Sequence, residues 1–193
     1  MATSLKTQAA LVKEAINDTL FNAATGVYDL SDSNRGVFAQ DANAEAVLFG
    51  VAPEAQAVSI LQKTDAALDT LHGPLAFSST SGLSQLISPF ASGFDVHAHF
   101  QAGDAVGALN LIRTLWGPMR PSQPYYSGAT WEALVPNGTP QSPSTSLAHA
   151  WSSGPTSALS KYVLAVRPVE PGYKKWLKIN RRSPGYAGEA PEV

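Results

Sequence analysis

Apolar residues recur three or four positions apart in the first twenty residues of the chain. This spacing places them on one side of an α-helix, so the pattern predicts a helix over residues 5–21 with that side buried. The buried side would carry Leu5, Ala9, Val12, Ile16 and Leu20. Thr25-Gly26 then breaks the pattern, and a polar loop is predicted to about Gln40.

Two further helices are predicted in the next thirty residues. Asp41 can cap the first of them, and Gly50 lies near its end. One side of that helix would carry Ala44, Val47, Leu48 and Val51. Pro53 suits the first turn of the following helix, whose apolar stripe runs through Ala57, Leu61 and Leu68.

The clearest helix boundary in the chain lies between residues 102 and 105. A fourth helix is predicted from about Pro89 to Ala102, Gly103 stops it, and Asp104 starts a fifth. One side of the fifth helix would carry Ala105, Ala108, Leu109, Ile112, Leu115 and Trp116. Gly117-Pro118 ends that pattern and opens a long loop that extends to the mid-140s.

The last helix is predicted to begin near Gly154-Pro155 and to end before Pro168. Its inward positions would be Ala158, Leu159, Tyr162, Val163 and Val166. Apolar and polar residues alternate over residues 173–179, YKKWLKI, which predicts a strand, and the residues after it are predicted to form a frayed tail. The pattern is that of an all-α protein built from helical hairpins in series. Such a series favours a solenoid or an α/α toroid over a four-helix bundle, and the lack of a repeat signature disfavours a solenoid.

Composition narrows the range of partners. Hydrophobic residues make up 44% of the chain and charged residues only 15%, whereas about a quarter is usual for a soluble domain. We therefore expect part of the surface to be covered by a partner or by the remainder of a longer chain.

The net charge of -2 and the scattered basic residues argue against a nucleic-acid partner. The chain has no cysteine, which excludes disulfides and thiolate metal sites, and no window is apolar enough for a membrane span or a signal peptide.

Candidate chemistry is concentrated in residues 126–151, YSGATWEALVPNGTPQSPSTSLAHAW. This stretch places Trp131, Glu132, His149 and Trp151 on segments otherwise rich in Gly, Pro, Ser and Thr. Aromatic faces can hold the apolar side of a sugar ring, and a carboxylate beside them can act on water or a hydroxyl. The simpler alternative is that the Trp-Glu pair is a core aromatic residue next to a solvated charge.

Several segments resemble, in order, the C-terminal part of the catalytic domain of the α-L-rhamnosidases of glycoside hydrolase family 78, which are six-hairpin glycosidases. The segments are QDANAEAVLFGVAP (residues 40–53), ISPFASGFDVHAHFQAG (87–103), ALNLIRTLWGPM (108–119), YSGATWEAL (126–134) and TSLAHAWSSGPTSALSKYVLAVRPVEPGY (145–173). The resemblance implies a partial (α/α)6 toroid over residues 1–167. It also implies that residues 168–193 begin a C-terminal β-sandwich or form a frayed tail.

The resemblance also implies a reaction. Family members hydrolyse terminal α-L-rhamnose with inversion, using one carboxyl group as acid and another as base. Their base motif matches Thr130-Trp131-Glu132, so Glu132 would be the general base. His149 matches the position that contacts rhamnose hydroxyls, and Trp131 would help to form the pocket wall. Trp151 is a further candidate for sugar binding.

The family's general acid lies in a region that matches nothing in this chain. Asp41, Glu45 and Asp95 were weighed as substitutes, and Asp41 is more simply a helix cap. Asp95 lies near His97 and His99, but residues two apart on a helix point to different sides, so we expect no metal ion and no cofactor.

Two functions follow as hypotheses. The first is an α-L-rhamnosidase-like glycoside hydrolase, here a fragment that carries the base but not the acid, with little activity alone. Its partners would be a rhamnose-containing glycoside and the upstream half of the same domain. The alternative is a non-catalytic carbohydrate-binding or scaffold helical protein, which needs only Trp131, His149 and Trp151. The sequence does not indicate a cellular location.

Overall fold

The chain is mostly helical in a computed structural model that describes residues 2–78 and 82–166, together with residues 168, 170, 172, 174 and 175. The described residues form six α-helices: α1 (Ala2–Leu20), α2 (Gln40–Leu48), α3 (Ala57–Leu68), α4 (Pro89–Ala102), α5 (Ala105–Trp116) and α6 (Gly154–Ala158). Two short antiparallel hairpins, β1–β2 (Phe21–Asn22 and Val27–Tyr28) and β3–β4 (Asp69–Thr70 and Gly73–Pro74), follow α1 and α3. The all-α prediction is therefore confirmed, and no helix in the described part is long and apolar enough to cross a membrane.

Helix α1 has an apolar side that is largely exposed. Leu5 and Val12 of the predicted side each expose more than half of their surface, so the prediction of a buried side is wrong for the first turns. Leu11, outside that side, is exposed as well. Only Ile16 and Leu20 reach the core cluster that α2 and α3 build. The helical periodicity was read correctly, but burial depends on which other elements cover the helix.

Helices α2 and α3 form the first part of the core. Helix α2 begins at Gln40 without a side-chain cap, so the predicted cap at Asp41 is wrong, and Asp41 lies in the first turn. A left-handed Gly50, with φ of 69°, follows the helix and places Val51 beyond its end. The predicted stripe of the next helix is confirmed: Ala57, Leu61 and Leu68 are all buried in α3.

Helix α4 is the central element and lies against α2, α3, α5 and α6. Its predicted bounds are confirmed residue for residue. The Ser88 hydroxyl accepts a hydrogen bond from the Ala91 N–H at 3.3 Å at one end. Gly103, with φ of 89°, ends it at the other, as glycine does without steric cost. Asp104 then caps α5 by accepting from the Gly107 N–H at 2.9 Å, which confirms the predicted boundary.

A second core cluster lies beneath the long loop after α5. It consists of Ile87, Leu115, Met119, Trp131 and Leu134. The backbones of Ile87 and Leu134 exchange hydrogen bonds of 2.8 and 3.0 Å, which fasten the loop to the segment preceding α4. The loop is therefore anchored from below by apolar packing and backbone pairing.

Helix α6 is shorter than predicted and continues as a π-helical turn, Leu159–Val163. Ala158 is buried as predicted, whereas Val163 and Val166 are exposed, so the inward positions extend over a shorter length than the periodicity indicated. The helix meets α4 where Gly93 and Gly154 approach each other. The strand predicted at residues 173–179 falls outside the described residues, apart from residues 174 and 175.

Candidate functional site

Two loop segments run antiparallel at the place where the sequence concentrates its candidate residues. The Glu132 N–H donates to the Ser146 carbonyl at 2.9 Å, and the His149 N–H donates to the Thr130 carbonyl at 2.7 Å. The Thr130 hydroxyl adds a third bond, to the His149 carbonyl, at 2.8 Å. This pairing brings Glu132 and His149 onto one loop platform although they are 17 residues apart in the chain.

The Glu132 side chain is exposed and held in one direction. One carboxylate oxygen, Oε2, accepts the Ser146 N–H at 3.0 Å. The same two residues are thus joined by both a backbone and a side-chain hydrogen bond, which restricts the rotamers of Glu132. An exposed carboxylate fixed in this way has a second oxygen free to accept a proton from water, as a general base must.

Trp131 lies on the opposite side of the same segment and is fully buried. Its ring belongs to the cluster of Ile87, Leu115 and Leu134, and Tyr125 meets it edge to face at 6.4 Å. The indole Nε1–H has no hydrogen-bond partner. No face of the Trp131 ring is open to a sugar in this structure, so its role here is to support the platform from below. This is the core position that the simpler alternative expected.

An aromatic row lies beside the platform. Trp151 exposes 62% of its surface, and its ring centroid lies 4.5 Å from that of His149 and 5.1 Å from that of Phe90. Phe90 in turn meets Phe94 at 5.3 Å. A hydrogen bond of 2.8 Å from the Trp116 indole to the Ser152 carbonyl fastens the turn that carries Trp151. The row offers an exposed aromatic face of the kind that binds the apolar side of a sugar ring.

None of the three candidate proton donors, Asp41, Glu45 and Asp95, hydrogen-bonds to this platform. Asp95 is buried among helices, where its Oδ2 accepts from the Gln40 amide at 2.8 Å. Burial raises the pKa of Asp95 to about 6. Asp41 is exposed in the first turn of α2, one helical turn before Glu45, whose pKa is raised by burial and by the charge of Asp41.

A polar network centred on His99 lies in the core between α3, α4 and α5. His99 Nδ1 lies 3.0 Å from Asp104 Oδ2, and Nε2 lies 3.3 Å from Asp65 Oδ2 and 3.6 Å from Asp95 Oδ1. Burial alone lowers the pKa of His99, but the hydrogen bond to Asp65 and the charges of Asp95 and Asp65 outweigh it and raise the pKa to about 9. Sequence reasoning missed this network, although the i,i+4 spacing of Asp95 and His99 placed both on one side of α4.

His97 points away from the network, as its spacing from His99 predicts. Its Nε2 lies 3.0 Å from the Ser157 hydroxyl, and its ring meets Tyr162 edge to face. Burial, assisted by the charge of Lys161, lowers the pKa of His97. His97 therefore belongs to the contact between α4 and α6.

A polar cleft of about 160 Å³ opens beside Asp65, and its polar lining includes Asp69, Asn110 and Thr114. Burial, followed by the charges of Asp65 and Asp95, raises the pKa of Asp69 to about 6. Asp65 belongs both to this cleft and to the His99 network. The cleft therefore connects the buried network to solvent, a link that no local sequence pattern indicates.

Comparison with known proteins adds no identity: no family model matches the chain, and no curated protein matches it. The residues of the loop platform are therefore the basis for assigning a function. Of the residues predicted for the site, Glu132, His149 and Trp151 reach the surface on one platform, and Trp131 lies beneath it. Such a group can orient a hydroxyl-rich ligand and accept a proton from water, but it includes no second carboxyl group placed to donate one.

Proposed function

We propose that this chain is the base-bearing part of an α-L-rhamnosidase-like, inverting glycoside hydrolase domain. Glu132 is the general base, and His149 and Trp151 contact the sugar. The observation that carries the proposal is the exposed Glu132 carboxylate, fixed by the Ser146 N–H on a segment whose backbone pairs with the segment that carries His149. The ordered segments that resemble glycoside hydrolase family 78 supply the substrate class.

The proposed chemistry follows from the position of the carboxylate. Glu132 draws a proton from water as the water attacks the anomeric carbon, and the sugar inverts. The leaving oxygen needs a proton from a second carboxyl group about 6.5–9.5 Å away, so that a water molecule fits between the two. We assign that acid to the remainder of an (α/α)6 toroid, because Asp41 and Glu45 lie on α2 and Asp95 is buried.

The uncovered side of α1 supports a larger toroid. Leu5 and Val12 lie exposed on one side of a helix whose other end is packed in the core, and Leu11 is exposed beside them. Burying each such side chain contributes about 1.5–3 kcal/mol. The proposal places another helix of the same domain on this surface, and it accounts for the low fraction of charged residues.

The test uses a polypeptide in which the chain is joined to an upstream rhamnosidase half-domain, assayed with an aryl α-L-rhamnoside. Glu132→Gln keeps the size of the side chain but cannot accept the proton, so turnover is expected to fall about 10²–10⁴-fold. Glu54→Gln, on an exposed turn, is the matched control and should retain turnover. Azide should restore activity to Glu132→Ala and yield the β-configured azide, since it attacks without needing a base. Full turnover in Glu132→Gln would rule out the assigned role.

The alternative is a non-catalytic carbohydrate-binding protein, and the contact between half-buried His149 and exposed Trp151 favours it, because binding needs no acid. Isothermal titration of this chain with L-rhamnose and D-glucose separates the two functions. Selective binding of rhamnose that is lost in Trp151→Ala, together with no turnover in the completed polypeptide, would favour the alternative.

A further inference from the structure

Two carboxylate oxygens face His99 Nε2 at distances typical of atoms that bind the same metal ion. Asp65 Oδ2 and Asp95 Oδ1 lie 3.3 and 3.6 Å from this nitrogen, and one ligand atom from each of the three residues lies within 4.8 Å of the other two. An N–H···O hydrogen bond prefers about 2.7–3.2 Å. A tetrahedral ion with bonds of about 2.0–2.1 Å separates its ligand atoms by about 3.3 Å, so the two distances from Nε2 fit a cation shared with the carboxylates.

The other nitrogen of the ring is already committed. His99 Nδ1 lies 3.0 Å from Asp104 Oδ2, and Asp104 is itself held in place because its Oδ1 caps α5. With the Nδ1 hydrogen donated to Asp104, Nε2 is the ring atom that faces two carboxylates, and a metal ion bound there would replace the proton that Nε2 shares with Asp65. A carboxylate behind the imidazole is the usual outer support of a metal-bound histidine.

The charge around the ring is unbalanced. Four carboxylates, those of Asp65, Asp69, Asp95 and Asp104, act on or contact one imidazole. Among residues 2–78 and 82–166, no Lys or Arg forms an ion pair with any of them. Protonated His99 supplies one positive charge, and a divalent ion in place of its Nε2 proton would add one more in a region where unpaired charge is costly.

The site is also accessible from solvent. Asp95 and His99 are buried, but the Asp65 side chain is 28% exposed and lines the cleft of about 160 Å³. This volume holds several water molecules, one of which can complete the coordination. Imidazole and carboxylate ligands together suit zinc among the common divalent ions.

We propose that Asp65, Asp95 and His99 bind a single zinc ion, with a water molecule from the cleft as the fourth ligand. The ion joins α3 to α4 in the core and has a structural role. The proposal is independent of the glycosidase function, because none of these residues lies on the Glu132 platform.

The test begins with the chelator-treated chain, titrated with Zn²⁺ against a chromophoric chelator and followed by its thermal transition. One equivalent should bind and raise the transition temperature. Asp65→Asn should lower the affinity at least about tenfold. Asp69→Asn removes the same charge from the same cleft but no ligand, and should stay within about threefold. Circular dichroism confirms that both variants are folded.

Two measurements on the unaltered chain do not depend on any variant. Co²⁺ in place of Zn²⁺ should give the intense visible absorption of a tetrahedral site, and the ¹⁵N resonance of His99 Nε2 should shift on zinc addition while that of Nδ1 changes little. Binding of no ion, equal loss of affinity in both variants, or a zinc-induced shift at His72 or His149 instead of His99 would overturn the proposal.

Discussion

Helices α4 and α6 meet at Gly93 and Gly154. We predict that alanine at residue 154 destabilises the chain, whereas alanine at residue 93 does not. A Cβ atom built on Gly154 lies 2.6 Å from the Gly93 Cα, whereas a Cβ on Gly93 lies 3.4 Å from the Gly154 Cα. Carbon atoms prefer a separation of about 3.5–4.0 Å. Alanine therefore fits at residue 93 but requires α6 to move by about 1 Å if placed at residue 154.

The magnitudes follow from the two environments. Overpacking of this kind destabilises the folded state by about 1–3 kcal/mol. Replacing glycine by alanine also reduces the conformational entropy of the unfolded chain, which stabilises the fold by about 0.4–1 kcal/mol. Gly154→Ala should thus lower the free energy of unfolding by about 1–2 kcal/mol. Gly93→Ala lies within α4 and gains helix propensity, so it should leave stability unchanged or raise it by up to about 1 kcal/mol.

Urea denaturation followed by circular dichroism at 25 °C measures these differences. Gly117→Ala is the comparison without packing overlap, because Gly117 is helical, with φ of -54°, and nothing apart from its chain neighbours lies within 4 Å of its added Cβ. Pro118 follows it and disfavours the helical conformation for a residue that carries a Cβ, so no stabilisation is expected from this change. The reasoning is refuted if Gly154→Ala is as stable as the parent, or if the changes at residues 93 and 154 have the same sign.

Three further predictions concern burial. Trp131→Ala should lower the free energy of unfolding by about 3–5 kcal/mol because its ring is buried, whereas Trp151→Ala should lower it by less than about 1.5 kcal/mol because its ring is exposed. Thermal unfolding of the two variants measures the difference, and equal losses would contradict these positions. Gln40→Ala removes the buried donor to Asp95 and should cost about 1.5–3 kcal/mol in denaturant titration, and a loss below about 0.5 kcal/mol would contradict that bond. Leu11→Glu should leave stability within about 0.5 kcal/mol and reduce self-association in light scattering, unless this side of α1 is covered in solution.

The elements that could be predicted are those whose signals are local. The end of helix α4 and its boundary with α5 are predicted residue for residue, because Gly103 and Asp104 act on backbone groups within a few positions of themselves. The cap at Asp41 was wrong for a related reason: helix α2 begins at Gln40, whose buried amide is used by Asp95, a residue remote in sequence. The N-cap position is therefore Ala39, two residues before the predicted Asp41.

The sequence by itself determined the helical class, the stripe of α3, the loop that carries Glu132 and His149, and the opposite directions of His97 and His99. Only the tertiary structure decided that Trp131 lies in the core while its neighbour Glu132 reaches solvent, and that α1 keeps an apolar side exposed. It also decided that Asp65 and Asp104 converge on His99. Periodicity and caps are set by residues within about one turn of each other, whereas burial and charge pairing depend on which distant segments meet.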